Sequence, residues 1–298
     1  MRFAGELAAL GTAFCWSAGA NFFAAAGRRI GPAALNRLRL TAAGIMLCAA
    51  LFAVRGSPWP AWATTFQVTV LAASGIVGFV FGDAYYFKSL VILGPGRAAL
   101  LTSLSPLFTM LIAWPVLRER PGPFTLAGVA LTIGGVTFVL RSRAVASGRP
   151  AEGTVTFGII AGLVAALGQA GGYVLSKMAL QTGLDSLSAT VIRVAAACAG
   201  IWILAAAQGA VRATFASLRD GRAAAFTAGG AFFGPFLGVT LSLTALQYID
   251  AGVAASITAI YPIPTLLLAA VFHGERITWQ ALAGTIAAVA GVVVLFLR

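Results

Sequence analysis

Three charges stand where charge is costly. Asp83 sits in FVFGDAYYFKSL, the acidic residue set deepest in an apolar stretch if a third helix runs over 66–90. A carboxylate at membrane depth faces a cavity or pairs with a base, and its chemistry is proton carriage or the holding of a substrate ammonium. Lys88, Arg37 and Arg39 are the bases that can instead make it a structural partner. Arg39 and Arg193 lie inside apolar helices near their starts. A guanidinium fork there either clamps a carboxylate in bidentate fashion or snorkels to the interface.

Around these charges fall groups suited to a mid-sized zwitterion. Trp16, Ser17 and Asn21 correspond to Gln169, Ala170 and Val174 at an offset of 153, with Tyr173 and Lys177 following. Tyr85, Tyr86 and Phe87 offer an aromatic wall. Pro106 with Ser103 and Ser105, and Pro262 and Pro264 with Ser256, Thr258 and Tyr261, interrupt two further helices. Proline frees a carbonyl that hydroxyls or water satisfy, and paired interruptions mark binding sites in transporter folds. The candidate substrate-binding set is therefore Trp16, Asn21, Arg39, Asp83, Tyr86, Ser105, Gln169, Tyr173, Arg193 and Tyr261, with Asp83 the coupling residue and Pro106 and Pro262 the kinks. In the eighth helix Thr240, Ser242, Thr244 and Gln247 add hydroxyl and amide groups. The residues suggest no catalytic constellation, metal site or cofactor. Cys15, Cys48 and Cys198 are far apart in apolar runs, His273 stands alone beside Glu275, and no G-x-x-x-x-G-K-[ST] run is present.

The elements that must position these residues follow from how few charges there are. Of 298 residues only 9% are charged, Lys+Arg 20 and Asp+Glu 8, while 60% are hydrophobic. About 25% is ordinary for a soluble domain, so a cytosolic enzyme, a disordered chain and a disulfide-stapled module are excluded. Cutting at every charge leaves ten charge-free runs of 15 residues or more: 7–27, 40–54, 56–82, 98–117, 121–140, 153–176, 194–211, 223–249, 251–274 and 277–297. A spanning helix needs roughly 20 apolar residues; the runs 40–54 and 194–211 reach that length if their helices begin near Ala34 and Ser186. Continuous Ala/Leu/Val/Gly excludes the alternation of a β-barrel strand. The expected fold is all-α and integral to the membrane, with ten transmembrane helices. Arg2 and the apolar stretch after it look like a signal peptide, but Glu6 and a second span close behind favour an uncleaved first helix. The net charge of +12 resides mostly at helix ends, as interfacial anchoring requires, and no basic face for nucleic acid exists.

The chain repeats itself. At an offset of 156, Ala98-Ala99 meets Ala254-Ala255, Pro106 meets Pro262, Glu119-Arg120 meets Glu275-Arg276, Ala127-Gly128 meets Ala283-Gly284, and Gly135 meets Gly291. Gly78 and Gly82 meet Gly234 and Gly238, a close-packing G-x-x-x-G spacing in both copies, and Arg39 meets Arg193 at 154. The Glu-Arg pairs at the helix ends are expected to pair locally. Residues 1–140 form a first five-helix repeat, 141–152 (RSRAVASGRPAE) a linker, and 153–298 a second repeat, all in one membrane domain. Five helices per copy force the second to enter the membrane inverted, the plan of secondary transporters with a midplane site.

WSAGANF (Trp16–Phe22), GDAYYFKSL (Gly82–Leu90), LSPLF (Leu104–Phe108), LRER (Leu117–Arg120) and GER (Gly274–Arg276) resemble drug/metabolite transporters of the EamA type, across nearly the whole chain. The resemblance implies a multi-pass inner-membrane carrier of ten helices, exporting amino acids or other small metabolites, with both termini cytoplasmic. The chain departs from the small multidrug members, whose first helix embeds a Glu; here only Glu6, at the helix mouth, is present. The charge bias points the other way on orientation. Seven basic residues (Arg2, Arg55, Arg118, Arg120, Lys177, Arg193 and Arg298) share the termini's side, and the rest of the 20 lie opposite, which by the positive-inside rule puts the termini outside. The expected function is secondary transport by alternating access, with a small-molecule substrate, the lipid bilayer and no nucleic acid as partners, as monomer or homodimer. The alternatives are efflux of cationic drugs, a lipid-modifying membrane enzyme, for which one His and eight scattered acids are poor material, and a structural scaffold.

Overall fold

Backbone polar groups in lipid must be satisfied within the segment, and the chain meets this with helices. The structure, a computed structural model, describes residues 3–93, 98, 101–144, 155–264 and 279–297. In chain order the helices are α1 (Ala4–Ile30), α2 (Pro32–Arg55), α3 (Thr65–Gly75), a π-helical segment (Ile76–Gly82), α4 (Asp83–Leu93), α5 (Ser105–Leu117), α6 (Pro123–Ala144), α7 (Val155–Leu180), α8 (Ser186–Ala207), the short α9 (Val211–Ala216) with a 3₁₀ turn (Ser217–Arg219), α10 (Gly221–Ala231), a second π-helical segment (Phe232–Gly238), α11 (Val239–Tyr248), α12 (Ala251–Thr258) and α13 (Trp279–Leu297). No strand occurs among the described residues. Among the described residues six helices are long and apolar enough to cross a membrane: Ala4–Ile30, Pro32–Arg55, Thr65–Ser89, Val155–Leu180, Ser186–Ala207 and Gly221–Tyr248. Four shorter apolar helices, Ser105–Leu117, Pro123–Phe138, Ala251–Pro264 and Leu282–Leu297, occupy the places of the remaining expected spans. Helix α6 runs on to Ala144, so the first four residues of the expected linker are helical. His273, Glu275 and Arg276 lie outside the described residues.

Local signals account for the boundaries. Pro32 opens α2 after Gly31 at φ 77°, using proline where its missing N–H is harmless. Thr64 and Gln67 form a reciprocal capping box at the start of α3, at 3.3 and 2.8 Å. Asp185 caps α8 through the Ser188 N–H at 2.9 Å. A turn at Ser103-Leu104 leads into α5 just ahead of Pro106, and α12 ends in a turn at 259–261, directly ahead of Pro262. These two turns are 156 residues apart. So are the two π-helical segments, in which the N–H of Asp83 bonds back to Gly78 and that of Val239 to Gly234, five residues in each case.

Large apolar side chains such as Phe14, Ile45, Phe52, Trp114 and Ile203 point outward, and the fully buried positions are dominated by Ala, Val and Leu. Small inward residues let helices approach closely where no hydrophobic force drives helices together. A reciprocal case is α6 against α13. A Cβ on Gly128 would lie 3.1 Å from the Gly291 carbonyl, one on Gly291 2.8 Å from the Gly128 carbonyl, and one on Gly135 2.6 Å from the Gly284 carbonyl. Gly284 and Gly291 are Gly128 and Gly135 displaced by 156. The contact is thus reciprocal and antiparallel, the pattern of an isologous interface about a two-fold axis.

Candidate functional site

The π-helical segment ending at Gly82 sets the direction of Asp83, the first residue of α4. An extra residue per turn re-aims the side chains that follow, which is why such segments recur at functional sites. Asp83 is 7% exposed. Its Oδ2 accepts from Nη2 of Arg39 on α2, and its Oδ1 accepts from Gln169 Nε2 on α7 at 3.3 Å. Arg39 is fixed further by Nε donating to Asn36 Oδ1 at 2.8 Å and by the Phe23 ring 5.0 Å beneath its guanidinium. Of the bases open to Asp83 in the sequence, then, Arg39 takes it. Arg37 turns instead to Thr214 Oγ1 and Gln208 Oε1, at 3.0 and 3.2 Å, and Lys88 lies over the Tyr85 ring at 4.7 Å.

Arg193, on α8, is 2% exposed and stands within electrostatic reach of both Asp83 and Tyr173. Its guanidinium lies 4.6 Å from the Phe79 ring centre. Gly78 and Gly172 make room for it: a Cβ on either would come within 2.9 Å of Nη2. Tyr173 is buried, with its hydroxyl against Ser242 and Thr258. Tyr86 reaches the same centre from α4, near Asp83, Arg39 and Tyr261. Tyr261, in the turn before Pro262, hydrogen-bonds with Thr102 beside the turn ahead of Pro106, and the Trp16 ring meets it edge-on at 6.1 Å.

Eight of the ten expected substrate-binding residues lie at this centre, linked by hydrogen bonds, a ring contact or electrostatic reach: Trp16, Arg39, Asp83, Tyr86, Gln169, Tyr173, Arg193 and Tyr261. Two are not so linked. Asn21 is exposed and gives its amide to the Ser17 carbonyl one turn back, at 2.9 Å. Ser105 Oγ is buried without a partner and touches none of the eight through a hydrogen bond. The hydroxyls of Thr240, Ser242 and Thr244 bond to carbonyls of their own helix. The described residues contain no group of three or more His, Cys, Asp or Glu that could hold a metal ion. An apolar crevice of about 370 Å³ lined by Leu10, Ile260, Val289 and Phe296 lies apart from the polar centre.

The comparisons with known proteins agree with this architecture. The model of the EamA-like transporter family matches residues 3–141 and 156–297. The chain belongs to the EamA-like transporter family. It is accordingly a multi-pass membrane protein. A protein crystal structure superposes on this EamA-like chain with a TM-score of 0.77 over 99% of it and 96% of the other, at 18% identity, which is likeness of fold. A probable terminal-alkyne amino-acid exporter of Streptantibioticus cattleyicolor is 46% identical over 48 residues. That match spans 16% of either protein.

One ion pair of this EamA-like protein escaped the sequence reading. Glu119 was expected to pair with its neighbour Arg120; it pairs with Lys177 instead, Nζ to Oε1 2.9 Å, both side chains about nine-tenths buried. Lys177 Nζ also donates to the Ile249 carbonyl at 2.5 Å, and both Glu119 oxygens accept the Ala251 N–H at 3.0 Å. Arg118, left-handed at φ 57°, ends α5 and turns the chain so that Glu119 follows at once. Lys177 therefore belongs to the end of the bundle, about one turn beyond Tyr173, and not to the polar patch in which its spacing after Gln169 and Tyr173 had placed it.

Proposed function

We propose that the chain is a secondary transporter that moves amino acids or similar small metabolites across the membrane by alternating access, working as an exporter that is proton-linked or facilitative. The observation that carries this reading is the enclosed polar centre: one carboxylate, two guanidiniums and three tyrosines drawn from both halves of the chain, at membrane depth. Charges so placed are expensive and mark substrate or ion pathways. The two-copy, inverted plan supports it. Turns before Pro106 and Pro262, π-helical segments at Ile76–Gly82 and Phe232–Gly238, and the reciprocal α6–α13 contact all repeat at 156 residues, and the family model matches in two stretches of similar length. A five-plus-five chain of this kind has two conformations of similar energy, related by exchange of its halves.

Asp83 is already neutralised by Arg39, which favours a zwitterion over a lipophilic cation, since the latter would need the carboxylate to itself. Membership of the family and the partial match to a named amino-acid exporter point to the same class of cargo. Purified protein in liposomes, given a panel of labelled amino acids including L-propargylglycine, should show saturable flux. If flux depends on a pH gradient, Asp83→Asn should abolish that dependence. Flux of no amino acid would refute the substrate class; gradient-independent flux unchanged in Asp83→Asn would refute the coupling role.

A further inference from the structure

The two arginines that the repeat makes equivalent are not equivalently served. Arg39 has Asp83 and Asn36. Arg193, more deeply buried, has neither an ion pair nor a hydrogen bond to any described residue, and its Nε is sealed off without a partner. The reason lies in the sequence: 156 residues after Asp83 stands Val239, so the second copy kept the base and has no acid. Beside it, Tyr173 Oη and Thr258 Oγ1 are both buried and make no well-formed hydrogen bond. A buried charge left unpaired and buried hydroxyls left unsatisfied are each strongly unfavourable. Yet the surroundings hold the guanidinium in place, with Phe79 under it and the slot between Gly78 and Gly172 around its tip.

What these three groups lack is an acceptor with more than one oxygen. With Arg39 and Asp83 paired, the centre carries a single uncompensated positive charge. One positive charge matches a monoanion and leaves a dianion such as phosphate half uncompensated. We infer that Arg193, with the hydroxyls of Tyr173 and Thr258, forms the subsite for a singly charged carboxylate of the transported molecule. The inference rests on the transport reading of this same centre and assigns the substrate's acidic end to the second copy, away from the arginine that Asp83 occupies. A planar fork suits a carboxylate in a way that a lysine ammonium does not.

Binding to the purified full-length protein, measured by calorimetry, tests this apart from transport. The probes are the amino acids of the flux panel, L-leucinamide (a leucine without the carboxylate) and 4-methylpentanoate (a leucine without the ammonium). The expected result is binding of an amino acid and of 4-methylpentanoate, weakened about ten- to a hundredfold in Arg193→Gln and only partly restored in Arg193→Lys, as loss of a hydrogen bond to a charged group implies. Tyr173→Phe, which keeps the ring, should weaken the carboxylates and leave L-leucinamide as it was; this variant keeps the test decisive if Arg193→Gln does not fold. Carboxylate affinities within twofold of the parent in both variants, or a parent that binds L-leucinamide in preference to every carboxylate, would overturn the subsite. Arg193-dependent binding of 4-methylpentanoate without flux of any amino acid would uphold the subsite and refute the amino-acid reading.

Discussion

Both ends of the helix bundle carry an ion pair between distant spans, and they differ in almost everything except formal charge. At the end shared by the termini, where the Phe3 and Phe296 rings meet at 5.7 Å, Glu119 and Lys177 are 10% and 9% exposed and also bind the backbone at Ile249 and Ala251. That joins α5, α7 and the α11–α12 turn. At the other end Arg29 and Asp220 meet at 2.6 Å with 42% and 31% of their side chains exposed, joining α1 to α10. Exposed pairs contribute about 0–1 kcal/mol. Breaking a buried one by removing a single partner costs about 3–5 kcal/mol. On the alternating-access reading proposed above, each end opens in turn and the termini end is the harder to open: it must break a desolvated pair, the opposite end only a wet one.

The largest effect should come from unpairing the buried end. Lys177→Met leaves Glu119 buried with only the Ala251 N–H, and Glu119→Gln leaves the ammonium with the Ile249 carbonyl and a distant, exposed Asp250 at 4.0 Å. Each should lower the stability of the detergent-purified protein by about 3–5 kcal/mol, read from its unfolding midpoint. The double variant Glu119→Leu, Lys177→Met should recover most of that loss, since neither charge remains to be solvated. Losses that simply add in the double variant would show that the two residues are not coupled and would remove the asymmetry.

The sequence made this contrast hard to see. Six of the expected spans were legible because charge-free runs report bilayer thickness directly, and the start of α8 near Ser186 was legible because the run 194–211 reaches spanning length only from there; Asp185 caps it through the Ser188 N–H. The partner of Asp83 was narrowed to three bases; Arg39 takes it, because Arg37 turns to Thr214 and Gln208 and Lys88 lies over the Tyr85 ring. Glu119 read as a helix-end charge paired with Arg120, and Lys177 as part of the polar patch after Gln169 and Tyr173. Only the α11–α12 turn, by bringing the Ile249 carbonyl and the Ala251 N–H between them, makes them a buried pair. The unequal state of Arg39 and Arg193 was hidden by the repeat itself, which implies equal surroundings until Val239 is set against Asp83.

The two ends differ in packing as well, with an effect of intermediate size. On α1, Gly5 lies at the termini end and Gly27 near the other. A Cβ on Gly5 would fall 2.7 Å from Ile249 Cγ2 and 2.9 Å from Tyr248 Cβ, whereas on Gly27 it would sit 3.4 Å from the flexible tip of Leu35. Overpacking typically costs about 1–3 kcal/mol, and alanine in a helix interior gains about 1 kcal/mol over glycine. Gly5→Ala is therefore expected to lower the unfolding midpoint and Gly27→Ala to leave it unchanged or raise it. Equal losses at the two sites would mean that the ends are packed alike.

The smallest effect belongs to the exposed pair, and pH isolates it. Asp220 caps α10, its Oδ1 accepting the N–H groups of Arg222 and Ala223 at 3.1 and 3.0 Å. The hydrogen bond from Arg29, then these backbone donors, hold its carboxyl below the ordinary value. A carboxyl so lowered stabilises the fold above its unfolded value of about 4 and loses that contribution as the pH falls through the lower, folded value. Asp220→Asn removes the charge and keeps a good cap. The midpoint difference between parent and variant should therefore be small and constant from neutral pH down to about 5, shrink below about pH 4, and shrink also in high salt at any pH. For Glu119→Gln the buried pair predicts a large difference that added salt barely changes. A salt response of equal size at both ends would mean that the termini end is as wet as the other, and the case for its being the harder gate would fail.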